Sequence, residues 1–375
     1  MFEPASLADV PVAPRDAFAS APLGARPLSP PAHHHSAPVY LGRLDETGRI
    51  RASGVPRPIP ALSLLVSFCN VWPRGYTLAR LDLATGYFDY AARDPARGCF
   101  VGGDGLRRLS DGSYVLVDQL AWGGVSGVTR LSPELEVAEA WDLGPGLDLH
   151  DVVPWKAGLA GAVSGRDQVV QIQDGRVTEV LFETGANEDR HHINGVAVWR
   201  GRLWASMFGS KPETGWREAA GGRIVSVRSG EVLVDGLYQP HSPVAGGDAL
   251  YLCESGSSRL LAISPAGRRR VVAQLRGYLR GLHLGARHIV VGASAVRRQS
   301  RHLGVTVPIR EPERHLDTSR LYVIDRRTGD VWFRDVGHIG HEIFAIAGYS
   351  GPVKPSLATT LAASQSRVLD ASAQT

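Results

Sequence analysis

From residue 62 to residue 348 short apolar runs alternate with Gly, Pro, Asp and Arg, and the runs come in two kinds. In the first, an apolar strand carrying Arg or Gln turns straight back on itself. Tyr76-Thr77-Leu78-Ala79-Arg80-Leu81 leads into Ala84-Thr85-Gly86, and Leu321-Tyr322-Val323-Ile324-Asp325 into Arg327-Thr328-Gly329. Further copies begin near Gly127, Gln168, Gly222 and Ser258. Such runs, joined by short Gly- or Pro-containing turns, predict hairpins. In the second kind, a polar residue and a small one open an apolar strand that turns tightly into another. Asn194-Gly195-Val196-Ala197-Val198-Trp199 turns at Arg200-Gly201 into Leu203-Trp204-Ala205-Ser206, and His241-Ser242-Pro243-Val244 turns at Gly246-Gly247-Asp248 into Leu250-Tyr251-Leu252.

These openings fall at residues 104, 150, 194, 241, 280 and 342, with gaps of 46, 44, 47, 39 and 62. One four-stranded propeller blade takes roughly 40–50 residues. The long gap holds an insertion over about 295–318. The last opening, Glu342-Ile343-Phe344-Ala345-Ile346, has no hairpin after it, whereas the strand over 62–68 and the hairpin over 78–90 have no inner strand before them. Joining the two completes a sixth blade and leaves no long exposed edge. The expected fold is all-β, a six-bladed β-propeller over 59–350 closed by a C-terminal inner strand. A Pro/Ala-rich arm over 1–58, disordered or extended, precedes it, and a flexible tail over 351–375 follows.

Composition adds little to the fold, since 43 Gly and 24 Pro among 375 residues suit many strands and turns. It narrows the partners more. The net charge of +4 rests mostly on scattered Arg, apart from Arg268-Arg269-Arg270 and Arg297-Arg298. That is a solvated surface rather than a phosphate-tracking stripe, so nucleic acid is not an expected partner. Cys69, Cys99 and Cys253 show no CxxC spacing, which argues against a disulfide framework and for a reducing compartment. The start of the chain lacks a basic segment followed by an apolar one, and no apolar run nears the ~20 residues of a membrane span. The expectation is a cytoplasmic protein with no membrane partner. His33-His34-His35 in the arm reads as composition, not as a metal site.

Aligned blade openings put their first residues in one ring at one mouth of the channel: Asp104, His150, Asn194, His241, Arg280 and Glu342. Two residues earlier, on the same side of each strand, stand Asp148, His192, Gln239 and Tyr278, with Gly102 and Gly340 leaving room. A channel lined only to hold water needs no such richness in imidazole and carboxylate. His150, His241, Glu342, Asn194 and Asp104 form a candidate set for a divalent metal, while His150, His241, Glu342 and His192 could instead serve as general acids and bases. Arg280 repels a cation and suits a carboxylate or phosphate, or pairs with Glu342. Long loops on the same face carry Lys211, Trp216 and Arg217 (209–221) and Arg297, Arg298, His302, Arg310, Arg314 and His315 (the insertion). With Tyr278 and Gln239, the residues Arg280, Trp216, Arg217 and Arg297 make a candidate binding set for a small anionic molecule.

Four blocks then carry a resemblance: His192-Ile193-Asn194-Gly195, Pro240-His241-Ser242-Pro243, Arg280-Gly281-Leu282 and Glu342-Ile343-Phe344. In this order and at blade spacing they resemble a bacterial propeller family of conserved hypothetical proteins, over roughly 62–348. That resemblance implies the fold and the site but no reaction. More distantly, Asn194-Gly195-Val196 is similar to the cation-ligating asparagine of gluconolactonase-type and strictosidine-synthase-like propellers. Here His150 and His241 stand where those enzymes favour oxygen ligands, so the resemblance implies Zn, Fe or Mn more readily than calcium. The expected function is an enzyme acting on a small polar, anionic metabolite at the mouth, by metal- or His/Glu-assisted lyase, hydrolase or isomerase chemistry. The alternative is a non-catalytic propeller that binds a ligand or a protein partner.

Overall fold

The computed structural model describes residues 37–69, 77–91, 102–119, 125–295, 316–351 and 353. In chain order the strands begin with β1 (Val39–Leu44), β2 (Ile50–Arg51), β3 (Ser63–Phe68), β4 (Leu78–Asp82) and β5 (Phe88–Tyr90). Then come β6 (Gly102–Arg108), β7 (Tyr114–Gln119), β8 (Val125–Leu131), β9 (Val137–Pro145), β10 (Leu149–Trp155), β11 (Gly158–Val163), β12 (Gln168–Gln173) and β13 (Arg176–Glu183). The second half holds β14 (Ile193–Trp199), β15 (Arg202–Met207), β16 (Gly222–Ser226), β17 (Val232–Leu237), β18 (Pro240–Ala245), β19 (Leu250–Glu254), β20 (Arg259–Ile263) and β21 (Arg269–Gln274). The chain ends with β22 (Tyr278–Leu284), β23 (His288–Ser294), β24 (Arg320–Asp325), β25 (Asp330–Asp335) and β26 (Ile343–Gly348).

These strands make six antiparallel sheets, and each inner strand packs on the inner strands of its two neighbours, in the ring order β6, β10, β14, β18, β22, β26. The fold is the six-bladed propeller. Its closing blade runs β26-β3-β4-β5, with Ile343 opposite Phe68 and Gly348 opposite Leu64.

What holds the ring is burial between sheets. Six apolar clusters form, one between each pair of neighbouring blades. Side chains alternate between them: Leu64, Val66 and Phe68 of β3 face one neighbour while Leu65 faces the other. Likewise Leu260 and Ala262 of β20 enter one cluster, and Leu261 and Ile263 the next. A strand covered on both faces can be apolar at every position. That explains why the sequence shows solid apolar runs rather than an in–out alternation.

Of the arm over 1–58, residues 37–58 are described. There β1 pairs with β25, Tyr40 opposite Trp332 and Arg43 opposite Asp330, and β2 pairs with β1. The blade β22–β25 is thereby extended to six strands. Tyr40 Oη, Arg43 Nε and Arg57 all donate to the buried Asp330 carboxylate, at 2.8, 2.8 and 2.7 Å. Of the tail over 351–375, only residues 351 and 353 are described. No helix among the described residues is long and apolar enough to cross a membrane.

Candidate functional site

Each inner strand breaks register as it leaves the mouth. In β10 the pairing steps from Leu149–Val163 to Asp151–Ala162, so His150 bulges out; Asn194 and Phe344 do the same in β14 and β26. In β6, β18 and β22 the breaks span Gly103–Leu106, His241–Val244 and Leu279–Leu282. A bulge locally redirects the strand and its side chains, and six such breaks fall at one end of the channel, each at or directly after a ring position. In ring order these positions are Asp104, His150, Asn194, His241, Arg280 and Phe344. Asp104 therefore stands across from His241, and His150 across from Arg280. Crowding at the axis restricts what may follow: a Cβ on Gly105 would lie 2.7 Å from Asp151 Cα.

The sixth member is a correction. Ile343 pairs as Leu149, Ile193 and Leu279 do, so the ring residue is Phe344, and Glu342 belongs to the level above with Asp148, His192, Gln239 and Tyr278. Counting from the first polar residue misplaced this blade by two. The apolar residue before each ring position was the better anchor. In that upper level Asp148, His192 and Gln239 share a left-handed backbone, φ +48°, +54° and +53°.

Two histidines are held alike. His150 Nδ1 lies 3.1 Å from Ser164 Oγ and 2.9 Å from Asp148 O, while Ser164 Oγ donates to Ile193 O at 2.7 Å. His241 Nδ1 lies 2.7 Å from Ser255 Oγ and 3.2 Å from Gln239 O, while Ser255 Oγ donates to Leu279 O at 2.5 Å. Each serine spends its one proton on the next blade's carbonyl and so accepts from the imidazole. That sets Nδ1–H as the tautomer and leaves Nε2 with a lone pair. Burial, then the charge of Arg280 and of His192 and His150, holds His241 well below its ordinary pKa. Burial also lowers His150, against the pull of Asp148. Both rings are neutral bases at neutral pH.

Asp104 is the opposite case. It is wholly buried, and neither carboxyl oxygen has a hydrogen-bond partner among the described residues. Burial drives it well above the usual carboxylate range, against the pull of Arg280 and helped by Asp148, Asp118 and Glu342. It is thus biased toward the protonated form, in the blade opposite His241. Arg280 stacks its guanidinium 4.0 Å over Phe344, donates to Cys69 Sγ at 3.2 Å, and keeps a buried Nε without a hydrogen-bond partner among the described residues.

An aromatic wall surrounds these groups. His192 lies 4.9 Å from His150, 4.6 Å from Phe208 and 5.0 Å from Trp216, and Phe208 lies 4.9 Å from His241 (ring centroids). Tyr278 meets His241 edge-on at 5.5 Å. Asp189 ties the wall together, taking Trp216 Nε1 on one oxygen and contacting His192 Nδ1 on the other, each at 3.0 Å. Gln239 Nε2 donates to Trp216 O at 2.6 Å, and Lys211 Nζ sits 5.1 Å from the Trp216 ring. Phe208, Phe344, Asp189, Cys69 and the two serines were missed from sequence. The serines left a signal: a Ser-Gly pair follows each ring histidine by fourteen residues, at Ser164-Gly165 and Ser255-Gly256.

The metal set is not assembled. Among the described residues no group of three or more His, Cys, Asp or Glu could hold a metal ion. Physically, Phe344 takes the place expected for a carboxylate, the Arg280 cation adjoins His241 in the ring, and Asn194 braces two blades. Its Nδ2 donates to Pro240 O at 3.1 Å and its Oδ1 accepts from Ser206 at 2.7 Å. Beneath the ring the channel narrows to a cavity of about 10 Å³, room for one water. Arg107 closes this floor on Asp151 at 2.5 Å and on the Val152 and Val196 carbonyls. Arg217 lies in a short 3-10 helix, Trp216–Glu218, and its side chain is outside the described residues, as is Arg297.

Residues 179–357 match a family described as a domain of unknown function (DUF4915). No curated protein matches the chain in sequence. Among solved structures, a chain of a nidogen/laminin complex superposes with TM-score 0.51 at 16% identity, covering 77% of this chain and 98% of its own. A protein of unknown function from Bacteroides caccae gives TM-score 0.51 at 12% identity, covering 78% and 100%. Virginiamycin B lyase from Staphylococcus aureus is looser, with TM-score 0.40 at 13% identity over 70% and 89%. At these identities the likeness is one of fold.

Proposed function

We propose that this six-bladed propeller, whose second half matches a family of unknown function, is an enzyme that moves a proton on a small carboxylate bound at the ring. Arg280 pairs with the substrate carboxylate. His241 removes a proton through Nε2, with His150 as the second base, and Asp104 returns a proton or stabilises a developing oxyanion by donating to it. Lyase and isomerase reactions next to a carboxylate need these roles, and hydrolysis is served by the same base activating water.

One observation supports the reading above the others. A buried acid pushed toward its protonated form and a buried histidine pushed toward its neutral form occupy opposite blades of the ring, and environments that push two titrating groups apart mark an acid/base pair. No step is assigned to a metal, because the donors for one do not converge.

Proton exchange tests this directly. Small carboxylates with an acidic C–H beside the carboxyl group are incubated with the protein in D₂O, and loss of the C–H signal is followed by NMR, with EDTA present. Exchange of at least one compound, abolished in His241→Ala and weakened by raised KM in Arg280→Lys, is the expected result. Carboxylates that bind without exchange would replace this reading with a binding module. An exchange that EDTA stops would overturn the metal-independent assignment.

A further inference from the structure

We propose that Cys69 is a nucleophilic thiol of the mouth, placed to be modified by small carboxylates that carry an electrophilic carbon. Its location follows from the blade symmetry. Phe68 pairs with Ile343 as Val163 pairs with Leu149 and Glu254 with Pro240, so Cys69 takes the position that Ser164 and Ser255 hold in their blades. Those serines reach the ring histidines. In this blade the ring residue is Phe344, and the thiol meets Arg280 instead.

Three contacts define its surroundings. Arg280 Nη1 lies 3.2 Å from Sγ, Glu342 Oε2 lies 3.7 Å from it, and the Cys69 amide donates to Glu342 O at 3.0 Å. A guanidinium against sulfur favours the thiolate, and a carboxylate beside the S–H can take its proton. Two further observations point to a ligand here. The buried Asp104 carboxyl, electrostatically coupled to both Arg280 and Glu342, has no hydrogen-bond partner among the described residues, and Arg280 Nε is likewise unused. Cys253 is the contrast. Both thiols are buried, but Cys253 lies in an apolar cluster with no cation beside it among the described residues, and burial alone raises its thiol.

With iodoacetate as the probe, the carboxylate pairs with Arg280 while the sulfur attacks the methylene carbon. The S–C bond forms, the C–I bond breaks, iodide leaves, and the thiol proton passes through Glu342 to solvent. The proposal does not rest on the proton-transfer reading, since Cys69 has no part in that chemistry.

The test treats the native full chain at pH 7 with iodoacetate or neutral iodoacetamide, with glutathione in the same tube, and maps labelled peptides by mass spectrometry. Cys69 should label about tenfold faster than Cys253, because only it has a cation beside it. Relative to glutathione, it should favour the anionic reagent. Arg280→Gln should remove that preference and Arg280→Lys should keep it. If Arg280→Gln does not fold, the wild-type reagent preference and Arg280→Lys still decide. Cys69 labelled only after denaturation, or a preference for the neutral reagent matching that of glutathione, would overturn the proposal, whatever the D₂O exchange shows.

Discussion

Replacing Asp104 with asparagine should make the protein more stable, and increasingly so as pH rises. The native carboxyl is buried without a hydrogen-bond partner among the described residues and titrates well above the usual range. In the unfolded chain it titrates near 3.9. Between those two values the folded protein holds a proton that the unfolded chain has released, so unfolding is favoured by about 1.4 kcal/mol for each pH unit. An amide in its place would keep the shape and the neutral character without that dependence. The difference between variant and wild type should therefore be within about 0.5 kcal/mol near pH 4. It should then climb by about 1.4 kcal/mol per unit until it levels off at the folded-state pKa. For a domain of roughly 300 residues that slope is about 2 °C in Tm per pH unit. Thermal unfolding of both proteins in half-unit steps from pH 4.5 to 8 reads it, and charge effects elsewhere cancel in the difference. If the variant is less stable at every pH, or its offset does not change with pH, Asp104 is an ionised partner of Arg280. The acid assigned to the site would then be lost.

Three more outcomes follow from the same geometry. Asp151→Ala strips Arg107 of its carboxylate partner in the channel floor, leaving it only the Val152 and Val196 carbonyls among the bonds described above, and should cost about 3 kcal/mol in urea unfolding, the toll of a buried charge left without its counter-ion; a loss under about 1 kcal/mol would mean that water already screens the pair. Because burial lowers His150 and His241, the exchange rate should hold through neutral pH and fall only below the ordinary imidazole value of about 6.5. Ser255→Ala, which removes the nearer of the two acceptors beside His241 Nδ1 and leaves Gln239 O, should lower the rate about fivefold, one neutral hydrogen bond being worth about 1 kcal/mol; an unchanged rate would show that the serine does not set the tautomer.

Blade number and closure were legible because they depend on local signals repeated at a fixed spacing. Strand–turn–strand units such as Asn194–Ser206 announce themselves in any one blade, and the unpaired strands at the two ends then account for each other. The ring was readable for the same reason, down to Asp104, His150, Asn194, His241 and Arg280. It failed at Phe344, because polarity was used as the marker and this blade breaks that rule. Contacts between blades were not legible. Nothing local to Cys69 or Asp189 says that one meets Arg280 and the other binds Trp216 and His192. Nor does composition distinguish a metal cage from an acid/base pair, since both use His and Asp. The difference lies in which side chains touch, and here an arginine stacks over a phenylalanine where a carboxylate was expected.

The seam between β26 and β3 has a bearing on when the site comes into being. Strands and hairpins can form as each blade leaves the ribosome, and both ring histidines are present by residue 241. Yet the groups around Arg280 are contributed by residues from the two ends of the propeller, Cys69 and Asp104 early and Phe344 late. Until the last strand locks, Arg280 has neither the ring it stacks on nor the sulfur it donates to, and the mouth is an open cleft. On the function proposed above, the site is complete only when β26 pairs with β3, and a chain cut before β26 would carry both histidines without the ring that Arg280 stacks on.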